Sequence, residues 1–259
     1  MVERLQIARL AQAGFVLRGA GTTLVIDAFL SPRPDRLVPP SVAPSDLVGV
    51  DAILATHEHR DHLDLPALPG LLAASPDARV IVPAPIADRV ADIAGDRTVP
   101  SIVGREIIVG AARIVPIPAL HGVTMADAYS FGEELSGGLV RYLGYVIELA
   151  GTRVYHAGDT IAYDGMAQRL RDLRVDIALV PINGRSAERE SRGLVGNLGP
   201  AEAADLAAEA GVTTLVPMHH DTIDGNTGSV VELRGYVAAR HAQIRILEIA
   251  PFAEISWPS

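Results

Sequence analysis

The segment Thr56-His57-Glu58-His59-Arg60-Asp61-His62 sets four candidate metal ligands, His57, His59, Asp61 and His62, within six residues. The apolar run Val50-Asp51-Ala52-Ile53-Leu54-Ala55 leads straight into it and reads as a strand. A strand ending in such a cluster aims imidazoles and a carboxylate at one small volume, which is what a divalent cation requires. His57 and His59, two apart on extended or turning backbone, can converge on one ion. Asp61 and His62, a further turn on, can face a second ion about 3.5–4 Å away. Any fold for this chain must bring that loop to an edge where further ligands reach it.

The rest of the pattern supplies such an edge. Leu5–Leu10, Phe15–Arg18 and Thr22–Asp27 are short strand-like runs broken by Gly14 and by 19–21, an antiparallel meander. After a proline-rich loop and the ligand cluster, helices are expected over Leu65–Ala74 and over Ile86–Ala94, the latter opened by Pro85, with a strand at Val80–Val82 between them. Strands return at Ile107–Val109 and Ile114–Ile117. Tyr142–Leu149 and Arg153–His156 form a hairpin across Ala150-Gly151-Thr152. Then come helix Met166–Asp172, strand Asp176–Val180, helix Ala201–Ala210 stopped by Gly211, strand Thr213–Val216, helix Val230–Arg240 and strand Gln243–Ile249. Two groups of strands, each needing helices on one face, stack as helix–sheet–sheet–helix. No linker rich in Gly, Ser or Pro divides the chain, so residues 1–259 are read as one domain.

Composition narrows the function. With 22 basic against 31 acidic residues the net charge is −9, which argues against a nucleic-acid or anionic-membrane partner. The chain has no lysine and no cysteine, which closes Schiff-base chemistry, thiol nucleophiles and thiolate metal ligands together. Its opening residues lack a signal-peptide pattern and no run of about 18 apolar residues occurs, so a cytoplasmic protein is expected. A homo-oligomer is compatible with all of this.

Three further ligand-type residues follow strands. His121 comes after Ile114–Leu120, Asp159 ends Val154-Tyr155-His156-Ala157-Gly158-Asp159-Thr160, and His219 ends Thr213–Met218. Gly158 permits a tight turn or a close backbone approach. With these residues the chain resembles the metallo-β-lactamase-fold hydrolase superfamily, whose ordered motifs are HxHxDH, a downstream His, an Asp in a Gly-Asp context and a last His. The match covers essentially the whole chain. It implies an α/β fold, the four-layer αββα sandwich, with His57, His59 and His121 on one ion. Asp61, His62 and His219 would hold a second, and Asp159 would bridge the two. Zinc is the expected metal, and manganese or iron also suits the oxygen-bearing site. Tyr155–Thr160, Pro181-Ile182-Asn183-Gly184-Arg185, Gly196-Asn197-Leu198 and Pro217-Met218-His219 further resemble the branch containing bacterial L-ascorbate-6-phosphate lactonase. The chain departs from that branch in its shorter length and in His220, where tyrosine is expected.

Two such ions bring the pKa of a water between them toward neutrality and polarise a carbonyl or phosphoryl oxygen. Asp61 and Asp159 would position and deprotonate that water, and His220 or a second water would protonate the leaving group. Asn183, Arg185 and Asn197 are candidate contacts to a small anionic substrate, a lactone or related cyclic ester, Arg185 being suited to carboxylate or phosphate. The loop 122–141, with Tyr129, Phe131, Glu133 and Glu134, is expected to cover the site. Asp27 reads as the partner of a ligand histidine. His156 should pack between sheets, and His241 should be a solvated cation at a helix end. A phosphodiesterase or nuclease remains an alternative on the same metals, though it needs a basic groove. A non-catalytic binding protein would be expected to have lost ligands, and this chain keeps all seven.

Overall fold

The computed structural model describes residues 4–132 and 137–258. Its strands are β1 (Leu5–Ala11), β2 (Gly14–Gly19), β3 (Thr22–Ile26), β4 (Ala52–Leu54), β5 (Arg79–Pro83), β6 (Thr98–Ser101), β7 (Ile107–Val109) and β8 (Ala112–Pro118). They continue with β9 (Leu143–Leu149), β10 (Thr152–His156), β11 (Ile177–Pro181), β12 (Thr214–Met218), β13 (Arg245–Ile246) and β14 (Glu254–Trp257). The helices are α1 (Leu68–Ala74), α2 (Asp88–Ala94), α3 (Met166–Asp172), α4 (Ala187–Ser191), α5 (Pro200–Ala210) and α6 (Val230–Arg240). The first sheet runs β14-β1-β2-β3-β4-β5-β6 and the second β13-β12-β11-β10-β9-β8-β7.

Strand alternation sorts the first sheet's side chains between two apolar layers. Phe15, Leu17, Leu24, Ile26, Leu54 and Ile81 point to the core shared with the second sheet. Their neighbours Val16, Val25, Ile53, Val80 and Val82 point the other way, into a cluster with Leu68, Leu71 and Leu72 of α1 and Val90 of α2. The second sheet is covered by Met166 and Leu170 of α3, the alanine-rich face of α5 and Leu233 and Val237 of α6. β11, flanked by parallel strands, is buried at every position, as a strand covered on both faces must be. This is the layered α/β sandwich of the metallo-β-lactamase fold.

The hairpin expected at 142–156 forms, and its two-residue turn has φ +49 at Ala150 and +73 at Gly151, the primed geometry that matches strand twist. The strand expected over Gln243–Ile249 shrinks to Arg245–Ile246, and Pro217 supplies the reason. Arg245 and Leu247 donate to the carbonyls of Thr213 and Leu215, so odd-numbered residues of β12 face β13. The next rung would need an N–H from residue 217, and proline has none. α1 begins three residues later than expected, at Leu68, with Pro69 in its first turn. β6, α4 and β14 were not expected. Among the described residues, no helix is long and apolar enough to cross a membrane.

β1 and β3 run parallel to each other through β2, and β4 runs parallel to β3. β8 runs parallel to β10, β11 and β12 by way of β9. The carboxyl ends of these strands carry the Gln12 turn, Asp27, the His57–His62 loop, His121, Asp159 and His219.

Candidate metal centre

The seven ligand-type side chains fall into two groups. His57, His59, His121 and Asp159 present donor atoms within 4.8 Å of one another, and so do Asp61, His62 and His219. In the first group His57 Nε2 lies 2.9 Å from His59 Nδ1, which is 3.4 Å from His121 Nε2. His59 Nε2 sits 3.2 Å from the Val123 carbonyl, an acceptor that places its proton there and leaves Nδ1 with a free lone pair. Asp159 stands between the groups. One oxygen is 3.6 Å from His121 Nε2 and 3.4 Å from His219 Nε2, and the other is 3.3 Å from His62 Nε2.

A cation fits this donor set. His62 Nε2 and Asp159 Oδ1 are buried and hydrogen-bonded to nothing, although they face each other. Buried polar atoms without partners are rare, and a shared ion would satisfy both. Electrostatics agree. Burial pushes His57 well below the usual imidazole range, with help from His62, His59 and His121, and takes His121 down to about 3. Both therefore offer neutral nitrogens. Burial alone would raise Asp61 and Asp159, yet His62 and His219 hold Asp61 well below the usual carboxylate range, and His219, His62 and His121 do the same to Asp159. Burial opposes charge on His62 and His219 too. For His62 it is outweighed by Asp159, Asp27 and Asp61, and for His219 by Asp159 and Asp61, so both are raised.

Supporting residues fix these orientations. Asp27, fully buried, accepts from Thr56 N (2.8 Å) and Thr56 Oγ1 (2.7 Å), and its Oδ2 lies 2.6 Å from His62 Nδ1. That leaves His62 Nε2 for an ion, the role expected of Asp27. Asp27 and His219 both hold left-handed backbone, at φ +47 and +56, strain of the kind concentrated at functional sites. At Gly158, φ is +60 and a Cβ would sit 2.7 Å from Thr56 Cβ and 2.8 Å from the Leu143 carbonyl, the close approach expected there. His156 bonds the Ala13 carbonyl at 2.7 Å, linking the two sheets.

Several contributors had escaped the sequence reading. Gln12, in the β1–β2 turn, donates to Asp61 at 2.8 Å. Glu58, between two ligands, is buried between Arg89 and Arg141 and ties the ligand loop to α2 and to the base of the loop that follows His121. Arg9, fully buried, grips Asp221 with both Nη atoms at 2.8 and 2.6 Å and so locks the segment after His219 to β1. These signals were faint: a polar residue in a turn, an acid inside a motif, an arginine in an apolar strand.

A cavity of about 340 Å³ opens over the cluster, walled by Arg33, Asp35, Val123, Arg192–Val195, Ile223, Asp224 and Asn226. The residues expected to touch substrate are placed elsewhere. Arg185 is spent on a bidentate pair with Glu202, 2.7 and 2.8 Å, and lines a separate groove with Asn183. Asn197 is fully buried. His220 does not line the cavity; burial, helped by Arg9, lowers the pKa of its half-buried ring against the opposing pull of Asp221 and Glu248. His241 is not simply solvated, for it pairs with Asp205 at 2.6 Å. Of the described part of the loop after His121, Val123 lines the cavity, and the rest is tied down beside it. His121 and Ser130 exchange backbone bonds, Asp127 gathers Val123 N, Thr124 and Tyr142 Oη, and Tyr129 Oη reaches Glu190 of α4 at 2.6 Å. Glu133 and Glu134 lie outside the described residues.

Comparison with known proteins agrees with this geometry. Residues 22–220 match the family described as Beta-lactamase superfamily domain. A UPF0173 metal-dependent hydrolase of Methanoculleus marisnigri is 31% identical over 95% of this chain and 94% of its own length. Another, from Pyrococcus furiosus, is 31% identical over 84% of this chain and 85% of its own. Among solved structures, Igni18, a metallo hydrolase from Ignicoccus hospitalis, superposes with a TM-score of 0.74 at 18% identity, covering 99% of both chains. An isothiocyanate hydrolase from Delia radicum gut bacteria gives 0.72 at 21% identity over 96% of this chain and 98% of its own, a likeness of fold alone.

Proposed function

The chain belongs to the Beta-lactamase superfamily domain family and to the UPF0173 metal-dependent hydrolases, and from that premise we propose that it is a binuclear hydrolase opening a small lactone or related cyclic ester. The observation that carries the reading is the position of Asp159, within 3.6 Å of His121 on one side and within 3.4 Å of His62 and His219 on the other. A carboxylate set between two histidine groups suits a bridge between two ions. His57, His59 and His121 would hold one ion, Asp61, His62 and His219 the other, with zinc preferred and manganese or iron(II) admissible. When bound, such a pair supplies Lewis acidity and a water ionised near neutral pH.

The chain's own side chains do the rest. Asp61, steadied by Gln12 Nε2, and Asp159 orient the attacking water over the substrate carbonyl. Asp61, which lines the cavity, takes the water's proton and returns it to the alkoxide released as the ring C–O bond breaks. This replaces the part expected of His220, whose ring lies off the cavity. A space of about 340 Å³ suits a small molecule, and a wall whose Arg33 and Arg192 are matched in number by Asp35 and Asp224 offers no basic groove to a nucleic-acid backbone.

The test is elemental analysis of the purified protein, then ring-opening assays with lactones, phosphodiesters and β-lactams against a metal-stripped control. Two equivalents of metal and metal-dependent lactone turnover are expected, and Asp159→Ala should abolish turnover. An unchanged rate in Asp159→Ala at saturating metal removes the assignment.

A further inference from the structure

The cavity wall opposite the ligand cluster holds donors that the proposed reaction has not used. Arg33 is neutralised there by Asp35 at 2.6 Å. Arg192, just past the end of α4, is different: among the described residues its guanidinium has no hydrogen-bond or ion-pair partner. It lies over Gly225, where a Cβ would stand in ordinary contact at 3.5 Å from Nη2 and 3.7 Å from Nη1, and it borders both the cavity and the neighbouring groove that Arg185 lines. Beside it is Asn226, whose amide direction is set from behind. Asn197 Nδ2 donates to Asn183 Oδ1 at 3.1 Å, and Asn183 Nδ2 donates to Asn226 Oδ1 at 2.8 Å. Asn183 and Asn197 are buried, so the relay is sheltered from water, and its bond to Asn226 Oδ1 turns that oxygen toward Asn183. The Asn226 NH₂ is left as a donor on the cavity wall.

We propose that Arg192 and the Asn226 amide bind a carboxylate carried by the substrate and hold its scissile carbonyl over the ligand cluster; this rests on the hydrolase reading above. A guanidinium with free N–H groups takes a carboxylate through two parallel bonds, and an adjacent amide adds a third. The charge balance of the wall favours a monoanion. Arg33 and Asp35 cancel, and Asp224, on the same turn as Asn226, would repel the second charge of a phosphate dianion. Asn183 and Asn197 then act as positioning residues, and Arg185 takes no part.

The kinetic test compares γ-carboxy-γ-butyrolactone with its methyl ester on zinc-loaded enzyme. Arg192→Gln is expected to lower the acid-to-ester ratio of kcat/KM about tenfold or more, chiefly through KM for the acid, as loss of a charge-assisted bond requires. Asn226→Ala should lower it less, and Arg185→Gln should keep it within about twofold. Binding is read independently from the side-chain Nε–H resonance of Arg192, assigned by its loss in Arg192→Gln. Succinate should shift it in the millimolar range, and dimethyl succinate should not. An acid-to-ester ratio unchanged in Arg192→Gln, no shift with succinate, or equal shifts with both probes overturns the proposal. If wild type opens neither lactone, the hydrolase reading fails while the resonance still decides whether Arg192 recognises carboxylate.

Discussion

Asp27→Asn tests how the second group of ligands is held. The carboxylate accepts three donors: Oδ1 from Thr56 N at 2.8 Å, and Oδ2 from Thr56 Oγ1 at 2.7 Å and from His62 Nδ1 at 2.6 Å. An amide of the same shape has one acceptor atom and one donor. If its oxygen faces Thr56 N, its NH₂ confronts His62 Nδ1–H, and relief requires moving the histidine proton to Nε2, the nitrogen a metal needs. If it flips, the NH₂ confronts the Thr56 N–H, which is buried with no other partner to hand. Either arrangement sets donor against donor at a site with no exposure. Loss of such an orienting carboxylate costs about 10–100-fold in metal affinity, or roughly 1.4–2.7 kcal/mol. With two ions bound as proposed, the loss should fall chiefly on one, because His62 meets Asp27 directly whereas His57 is linked to it only through Thr56 Oγ1, 3.1 Å from its Nδ1. Stepwise zinc affinities from chelator competition at pH 7 measure this. Two unchanged affinities in Asp27→Asn, or an equal loss in both, would refute the reasoning.

Other consequences can be checked by equilibrium unfolding. Gly158→Ala adds left-handed strain of about 1–2 kcal/mol and a clash against backbone worth about 1–3 kcal/mol, so urea unfolding should report a loss of about 2–5 kcal/mol. Arg9→Met leaves Asp221, 26% exposed, without its partner; the loss should lie near the lower end of the ~3–5 kcal/mol typical of a broken buried pair, and an Asp221→Asn partner change should recover part of it. Burial raises the Glu202 carboxyl, but Arg185 and Gly199 N outweigh it and hold it below its usual range. Its folded pKa is therefore the lower one. The stabilisation is complete above the unfolded value near ~4.3 and fades as pH falls through the folded value. Glu202→Gln should flatten the acid side of a stability–pH curve by about 0.5–1 kcal/mol, a modest amount because the pair is partly exposed.

The sequence disclosed the metal-ligand geometry far better than the recognition surface. His57 through His62 are contiguous, and His121, Asp159 and His219 each follow an apolar run, so strand direction alone carries them to one edge. Recognition residues have no such guide. Arg185 and Arg192 lie on one polar stretch, and which is free depends on Glu202, on a helix 17 positions further along, capturing Arg185. Asn183 follows the expected strand at 176–180 and Asn197 lies 14 positions on, but burial converts them into a support for Asn226. Short elements escaped for similar reasons. α4 is five residues with no apolar face, and β14 exists only because β1 offers it an edge. Gln12 is an ordinary turn residue until Asp61 is folded against it.

Each ligand group draws on both sheets: His57 and His59 with His121 and Asp159, Asp61 and His62 with His219. A cation gripped this way is a rivet across the sandwich, since neither half of the chain holds all the donors of either group. Chelation should thus loosen the seam between the sheets at that rim before it disturbs either sheet. Fragments split between β6 and β7 should bind metal more tightly once they had found each other, so the ion would report reassembly of the halves.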